Sequence, residues 1–155
     1  MHPTAAKVAA ALAAGGASGR IRELGESART AALAAEQLGV EVGAIANSLV
    51  FDADGAPLLV MTSGAHRVDT GLVASLVGAS SVRRATPDFV REHTGQAIGG
   101  VAPVGHPAPI RTLVDRWLQK YDEVWAAGGL AHTVFPTTYD ELLRLTGGTS
   151  AEVGA

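Results

Sequence analysis

The sequence predicts a single mixed α/β domain, with a barrel-like mixed β-sheet flanked by helices. Apolar extended runs alternate with runs of helical spacing along the chain. Several successive strand candidates are joined by hairpin-length loops, which favours a mixed over an all-parallel sheet. No internal repeat or linker divides the chain, and its 155 residues suit one domain that buries roughly two-thirds of its unfolded surface. A hydrophobic content of 47% against 17% charged residues marks the chain as globular rather than disordered.

The elements follow in order. Residues 1–26 form an N-terminal helical and flexible segment, alanine-rich at first and broken at GGASG. Ser27 is the expected N-cap of a helix through Leu38, with Ala31, Ala34, Ala35 and Leu38 on its core face and Gly39 after its end. VEVGAIANSLVF reads as a strand to Phe51, DADG as a hairpin turn, and PLLVMTS as the partner strand. Asp69 caps a helix that Gly78 closes, SSVRRA is a short strand, and Thr86-Pro87 opens the helix DFVREH. IRTLVD, DEVWAAGG and TVFPTT are further strand candidates, and Thr138 caps the helix YDELLRLTG. The folded domain is expected over residues 27–148, with 149–155 a frayed tail.

Composition narrows the function. The net charge of −3 argues against a generic nucleic-acid binder and against DNA as a partner. The early run AAKVAAALAA stops at Gly15, too short to span a bilayer, and its lone Lys7 lies inside the run rather than before it as in a signal peptide. With no cysteine there is neither a disulfide nor a thiolate metal site, so the cytoplasm is the expected compartment. The five histidines show no HExxH and no i,i+4 pair, so no metal is expected.

Thr94–His106, TGQAIGGVAPVGH, is the stretch least like scaffold. Glycines at 99, 100 and 105 let backbone N–H groups approach a ligand closely, and such a loop can cradle a phosphate or a developing oxyanion. It matches neither GxGxxG nor GxxxxGK[ST], and a plain turn between strands has the same composition. His66 and His106 sit in glycine-flanked loops where a ring either faces a pocket or serves structure. Ser48 reads as a hydrogen-bonded strand residue rather than a nucleophile, since no GxSxG elbow is present. Asp115 either orients a ligand hydroxyl or caps the turn that contains Trp117.

Taken together, NSLVF, SGAHRVD, RRAT before a helix, TGQAIGGVAPVGH, VDRWL and DEVWAAGG resemble, in order and spacing, the YbaK/aminoacyl-tRNA synthetase-associated editing domain. The resemblance implies a pocket for the 3′ aminoacyl end of tRNA and hydrolysis of mischarged esters of the Cys/Ala-tRNA(Pro) kind. It implies no cofactor and no membrane partner; a synthetase is a further partner, since relatives occur as insertions in prolyl-tRNA synthetases. On this reading Asn47, Gly99, Gly100 and Val101 are the catalytic group. Ser48, Gly64, His66, Arg67, Pro103, Gly105, His106, Asp115 and His132 bind substrate. Two departures stand out: Asn47 replaces the lysine of KSLVF, and Ala65 the aspartate of SGDHRVD. The alternative they open is a catalytically reduced protein that binds an aminoacyl-adenosine-like ligand.

Overall fold

The computed structural model describes residues 2–25 and 30–155. The elements are α1 (Pro3–Ala14), β1 (Arg22–Glu23), α2 (Ala31–Leu38), β2 (Ile45–Ala53), β3 (Ala56–Ser63), α3 (Thr70–Val77), β4 (Val82–Arg84), α4 (Pro87–Thr94), β5 (Arg111–Asp115), β6 (Val124–Ala127), β7 (Thr133–Thr137), α5 (Tyr139–Thr146) and β8 (Thr149–Ala151). Short 3-10 helices span Val42–Ala44 and Arg116–Lys120.

The strands make one mixed sheet of order β1-β7-β6-β2-β3-β5-β8, with β4 also paired to β2. The sheet and its flanking helices match the predicted class. It is an open sheet with β1 and β8 at its two ends, not a closed barrel. The β2–β3 hairpin is its centre, antiparallel and in register from Ala46↔Ser63 to Ala53↔Ala56. Parallel pairs join β2 to β6, β3 to β5 and β5 to β8.

Strand alternation sends alternate residues to opposite faces. Ala46, Val50, Leu59, Met61 and Val114 face one core with Val8 and Leu12 of α1, Val90 of α4 and Leu142 of α5. Phe51, Leu58, Val60 and Leu113 face a second core closed by Val73 of α3. Ile45, Trp125 and Val134 pack beneath Ala34 and Ala35 of α2.

The predicted caps Asp69, Thr86 and Thr138 each accept a hydrogen bond from a first-turn N–H of their helix. For α2 the cap is Thr30, which accepts from Leu33 N; Ser27 lies outside the described residues. The expected frayed tail is corrected. Thr149–Ala151 pairs in parallel with β5, Val153 is fully buried, and Gly154 bridges Val68. Ala151 and Val153 alternate with the exposed Glu152, a period-2 pattern too short to stand out in the sequence.

Deleting residues 149–155 is therefore expected to destabilise the fold by at least about 2 kcal/mol, since burying one large apolar side chain contributes about 1.5–3 kcal/mol. Urea denaturation of the truncated and full chains measures this. A frayed tail would leave the midpoint unchanged.

Candidate functional site

On one edge β2 pairs with β3 along its length, but on the other it pairs only at two separate places. Ile45 and Ala46 meet β6, and Phe51 to Ala53 meet β4. Asn47–Leu49 lie in the gap between, and the Val50 carbonyl at its end accepts from Ala85 N at 3.3 Å. There a cleft of about 110 Å³ opens, lined by Asn47, Ser48, Arg84, Ile98, Gly99 and Val101 among others. A shallower groove continues past Asn47 and Gly99 beneath α2, reaching Trp125, Ala131 and Thr133. The strand NSLVF and the glycine loop thus share one cleft.

The loop is held by side-chain bonds to its own backbone. Gln96 Oε1 accepts from Ala102 N at 2.7 Å, and its Nε2 donates to the Val104 carbonyl at 3.1 Å. Thr94 Oγ1 accepts from Gln96 N at 3.0 Å, anchoring the loop to the last turn of α4. His106 Nε2–H donates to the Ala102 carbonyl at 2.8 Å. Gly99 has φ +95 with open space where a Cβ would point, a conformation that disfavours other residues. Gly100 serves packing instead: a Cβ there would lie 2.4 Å from the Leu130 carbonyl carbon, so the loop presses on the β6–β7 connection. Its N–H points to the Ala97 carbonyl at 3.4 Å, whereas the Gly99 and Val101 N–H groups find no acceptor among the described residues.

Ser48 Oγ donates to Met61 Sδ at 3.1 Å, as befits a strand residue. Arg84 is the contributor that sequence reasoning missed; its neighbour Arg83 pairs with Asp52 at 3.6 Å, while Arg84 makes no ion pair among the described residues. The clue was the RR pair itself, since a strand turns adjacent side chains to opposite faces. Trp125 is a further wall residue. Its Nε1–H is buried with no hydrogen-bond partner among the described residues, and the ring lines the groove beside Asn47.

Other expected site residues lie elsewhere. His106 and Gly105 do not line the Asn47 cleft; they line cavities between the loop and α1, one of them also bordered by Pro103. Gly64 is a packing residue, its absent Cβ leaving room for the Val42 carbonyl 2.4 Å away. Ala65 and Arg67 are exposed in the β3–α3 connection. His132 stands on the β6–β7 connection, with Nε2 4.0 Å from Glu23. His66 and Asp115 form a separate constellation: His66 Nδ1 lies 2.9 Å from Asp115 Oδ2, which also accepts from Ser63 N at 2.9 Å. Asp115 Oδ1 accepts from Trp117 N at 3.0 Å, the capping role foreseen for it.

The gapped central strand is thus faced by a loop whose Gly99 and Val101 N–H groups have no acceptor among the described residues. The chain belongs to the aminoacyl-tRNA editing domain family, whose model matches residues 25–145. It is 31% identical over 123 residues to the uncharacterised protein YwhH of Bacillus subtilis, covering 79% of this chain and 78% of that one. It is 34% identical over 91 residues, 59% of its length, to the proline–tRNA ligase of Nitratidesulfovibrio vulgaris, and the match spans 16% of that ligase. The crystal structure of a candidate trans-editing enzyme for prolyl-tRNA synthetase superposes with a TM-score of 0.94 at 45% identity, covering 100% of this chain and 99% of that chain. No described helix is long and apolar enough to cross a membrane.

Burial lowers the pKa of His106, outweighing the opposing effect of its bond to Ala102. The folded state therefore binds that proton less readily than the unfolded chain. The neutral form's full stability is present above about pH 6.5, the unfolded value, and declines as pH falls from there to the lowered folded value. We expect His106→Gln to remove this component. Denaturant midpoints for both proteins between pH 5 and 8 check it, and a constant difference between them would contradict it.

Proposed function

We propose that this protein is a free-standing hydrolase that deacylates mischarged aminoacyl-tRNA, removing a small amino acid such as alanine or cysteine from a proline tRNA. The observation that carries the reading is the cleft in which Asn47 and Arg84 lie with the unpaired N–H groups of Gly99 and Val101. Family membership and the likeness to a candidate trans-editing enzyme support the aminoacyl-tRNA part of this reading. The cytoplasm, where tRNA is charged, is the compartment this reading requires.

Size favours a small acyl group. The cleft encloses only about 110 Å³. In the reaction a positioned water adds to the ester carbonyl, and the carbonyl oxygen takes up negative charge. The Gly99 and Val101 N–H groups are the donors for that oxyanion, and one such donor contributes about 3–4 kcal/mol to the transition state. The bond to the ribose oxygen then breaks, the ribose oxygen regains a proton, and the free amino acid and the terminal hydroxyl separate. The neighbouring ribose hydroxyl helps orient the water, so no protein nucleophile is required. The buried Trp125 N–H would gain an acceptor from a bound ligand, ending the cost of an unpaired buried donor.

Asn47 offers a neutral donor and acceptor where a lysine would offer a cation. Arg84 supplies positive charge in the same cleft, suited to the terminal phosphate. Hydrogen bonds to a charged partner contribute about 1.5–3 kcal/mol against about 1 kcal/mol for neutral ones, a difference of roughly tenfold in rate. His106 acts from outside the cleft, holding the loop through Ala102.

Single-turnover deacylation of a panel including alanyl- and cysteinyl-tRNA(Pro) tests the reading. Arg84→Ala is expected to lower kcat/KM about tenfold on the best substrate, and Asn47→Lys added to that variant to restore most of the loss. No hydrolysis of any substrate by the wild-type protein would refute the enzyme reading. Indifference to Arg84 would refute the electrostatic role.

A further inference from the structure

A larger opening than the Asn47 cleft, about 560 Å³, lies elsewhere among the described residues. It lies beyond β5 and is lined by His66, Asp115, Arg116, Trp117, Lys120 and Glu152 among others. We propose that this pocket binds an unpaired nucleotide of single-stranded RNA, with its base on Trp117, its phosphate on Lys120 and Arg116, and Glu152 reading an exocyclic amino group. The inference rests on the deacylase reading for the identity of that RNA, the unpaired 3′ end of the substrate tRNA.

Trp117 is 42% exposed, unlike the buried Trp125, and an indole left open beside cations is the platform on which unpaired bases stack. The Lys120 ammonium lies 4.4 Å from the indole centroid. An exposed cation–π contact is weaker than base-on-indole stacking, so an arriving base shifts the ammonium to the ring's rim, where it meets the phosphate. The His66 ring lies 5.1 Å from the indole at 49°, forming a side wall. Its orientation is fixed because Nδ1 is bound to the fully buried Asp115 carboxylate, which leaves Nε2 for a ligand. A carboxylate accepts from an amino group such as that of cytosine, so Glu152 favours cytosine or adenine over uracil.

The topology couples this pocket to the cleft. Asn47 is paired with Thr62 on β3, and Thr62 Oγ1 donates to Asp115 Oδ2 on the next strand at 3.4 Å. The three residues form one row across adjacent strands, so Asn47 and Asp115 lie about two strand spacings apart, roughly 10 Å, and the openings beyond them lie further apart. One unpaired strand of a few nucleotides spans that separation.

The test is binding of fluorescently labelled RNA hexamers, all-cytidine or all-uridine, to the full chain. Anisotropy is followed together with quenching of tryptophan emission. We expect the cytidine hexamer to bind tighter than the uridine one and to quench emission. Trp117→Ala should weaken it about tenfold or more, Trp117→Phe should retain most of the affinity, and Lys120→Ala should reduce the salt slope of log K by about 0.7. A tRNA trimmed of its unpaired 3′ end should compete poorly against the intact one. Affinity unchanged within twofold in both Trp117→Ala and Lys120→Ala overturns the proposal, as does equal competition by the trimmed tRNA. Because Lys120 is an exposed residue whose removal spares the core, its variant keeps the test decisive even if Trp117→Ala fails to fold. Binding is read without catalysis, so failure of the deacylase reading is seen separately: the hexamer would bind through Trp117 while no mischarged tRNA is hydrolysed.

Discussion

The unpaired stretch of β2 is the constraint on which the site depends. A central strand ordinarily has neighbours on both edges, because buried backbone donors and acceptors left alone are costly. Here β6 supplies the second neighbour at Ile45 and Ala46 and β4 supplies it from Phe51 onward, with Ala85 N donating to the Val50 carbonyl, so Asn47–Leu49 are left between them. The 98–101 segment fills one side of the opening without pairing in it. Gln96, Thr94 and His106 pin the segment, and the contact of Gly100 with the Leu130 and Ala131 backbone sets its depth. A larger residue at Gly100 would have to push the loop away from the β6–β7 connection and so reshape the cleft.

Asp115 organises the other half of that sheet face. It is buried, and its two oxygens take bonds from Thr62, Ser63 and Trp117 and the contact with His66. It therefore fixes three things together: the end of β3, the 3-10 helix after β5, and the ring at the mouth of the wide pocket. A buried carboxylate so fully satisfied behaves as a scaffold that holds His66 and Trp117 in place.

Much of the fold was legible because it rests on local chemistry. Asp69, Thr86 and Thr138 as caps, Gly39 and Gly78 as helix ends, and the DADG turn each follow from a few adjacent residues. The family followed from the order of its motifs, and so did the meeting of NSLVF with the glycine loop. What could not be read were contacts between residues far apart in sequence. The glycine-flanked settings of His66 and His106 look alike in the chain, yet one ring rests on Asp115 and the other on Ala102. Arg84 reaches the cleft and Trp125 the adjoining groove only because β4 and β6 flank β2. The tail was misjudged because its few buried residues carry almost no sequence signal, although Thr149–Ala151 pair with β5 and Val153 is fully buried.

The most direct test is amide hydrogen exchange, followed by NMR, in the presence and absence of a nonhydrolysable alanyl-adenosine analogue. The cleft account predicts that the Gly99 and Val101 amides, which lack acceptors in the free protein, become protected when the analogue binds. Gly78, at the far helix end, serves as the unaffected reference. Binding that leaves Gly99 and Val101 exchanging at their free rates, with protection instead around Gly95 and Gly105, would contradict it.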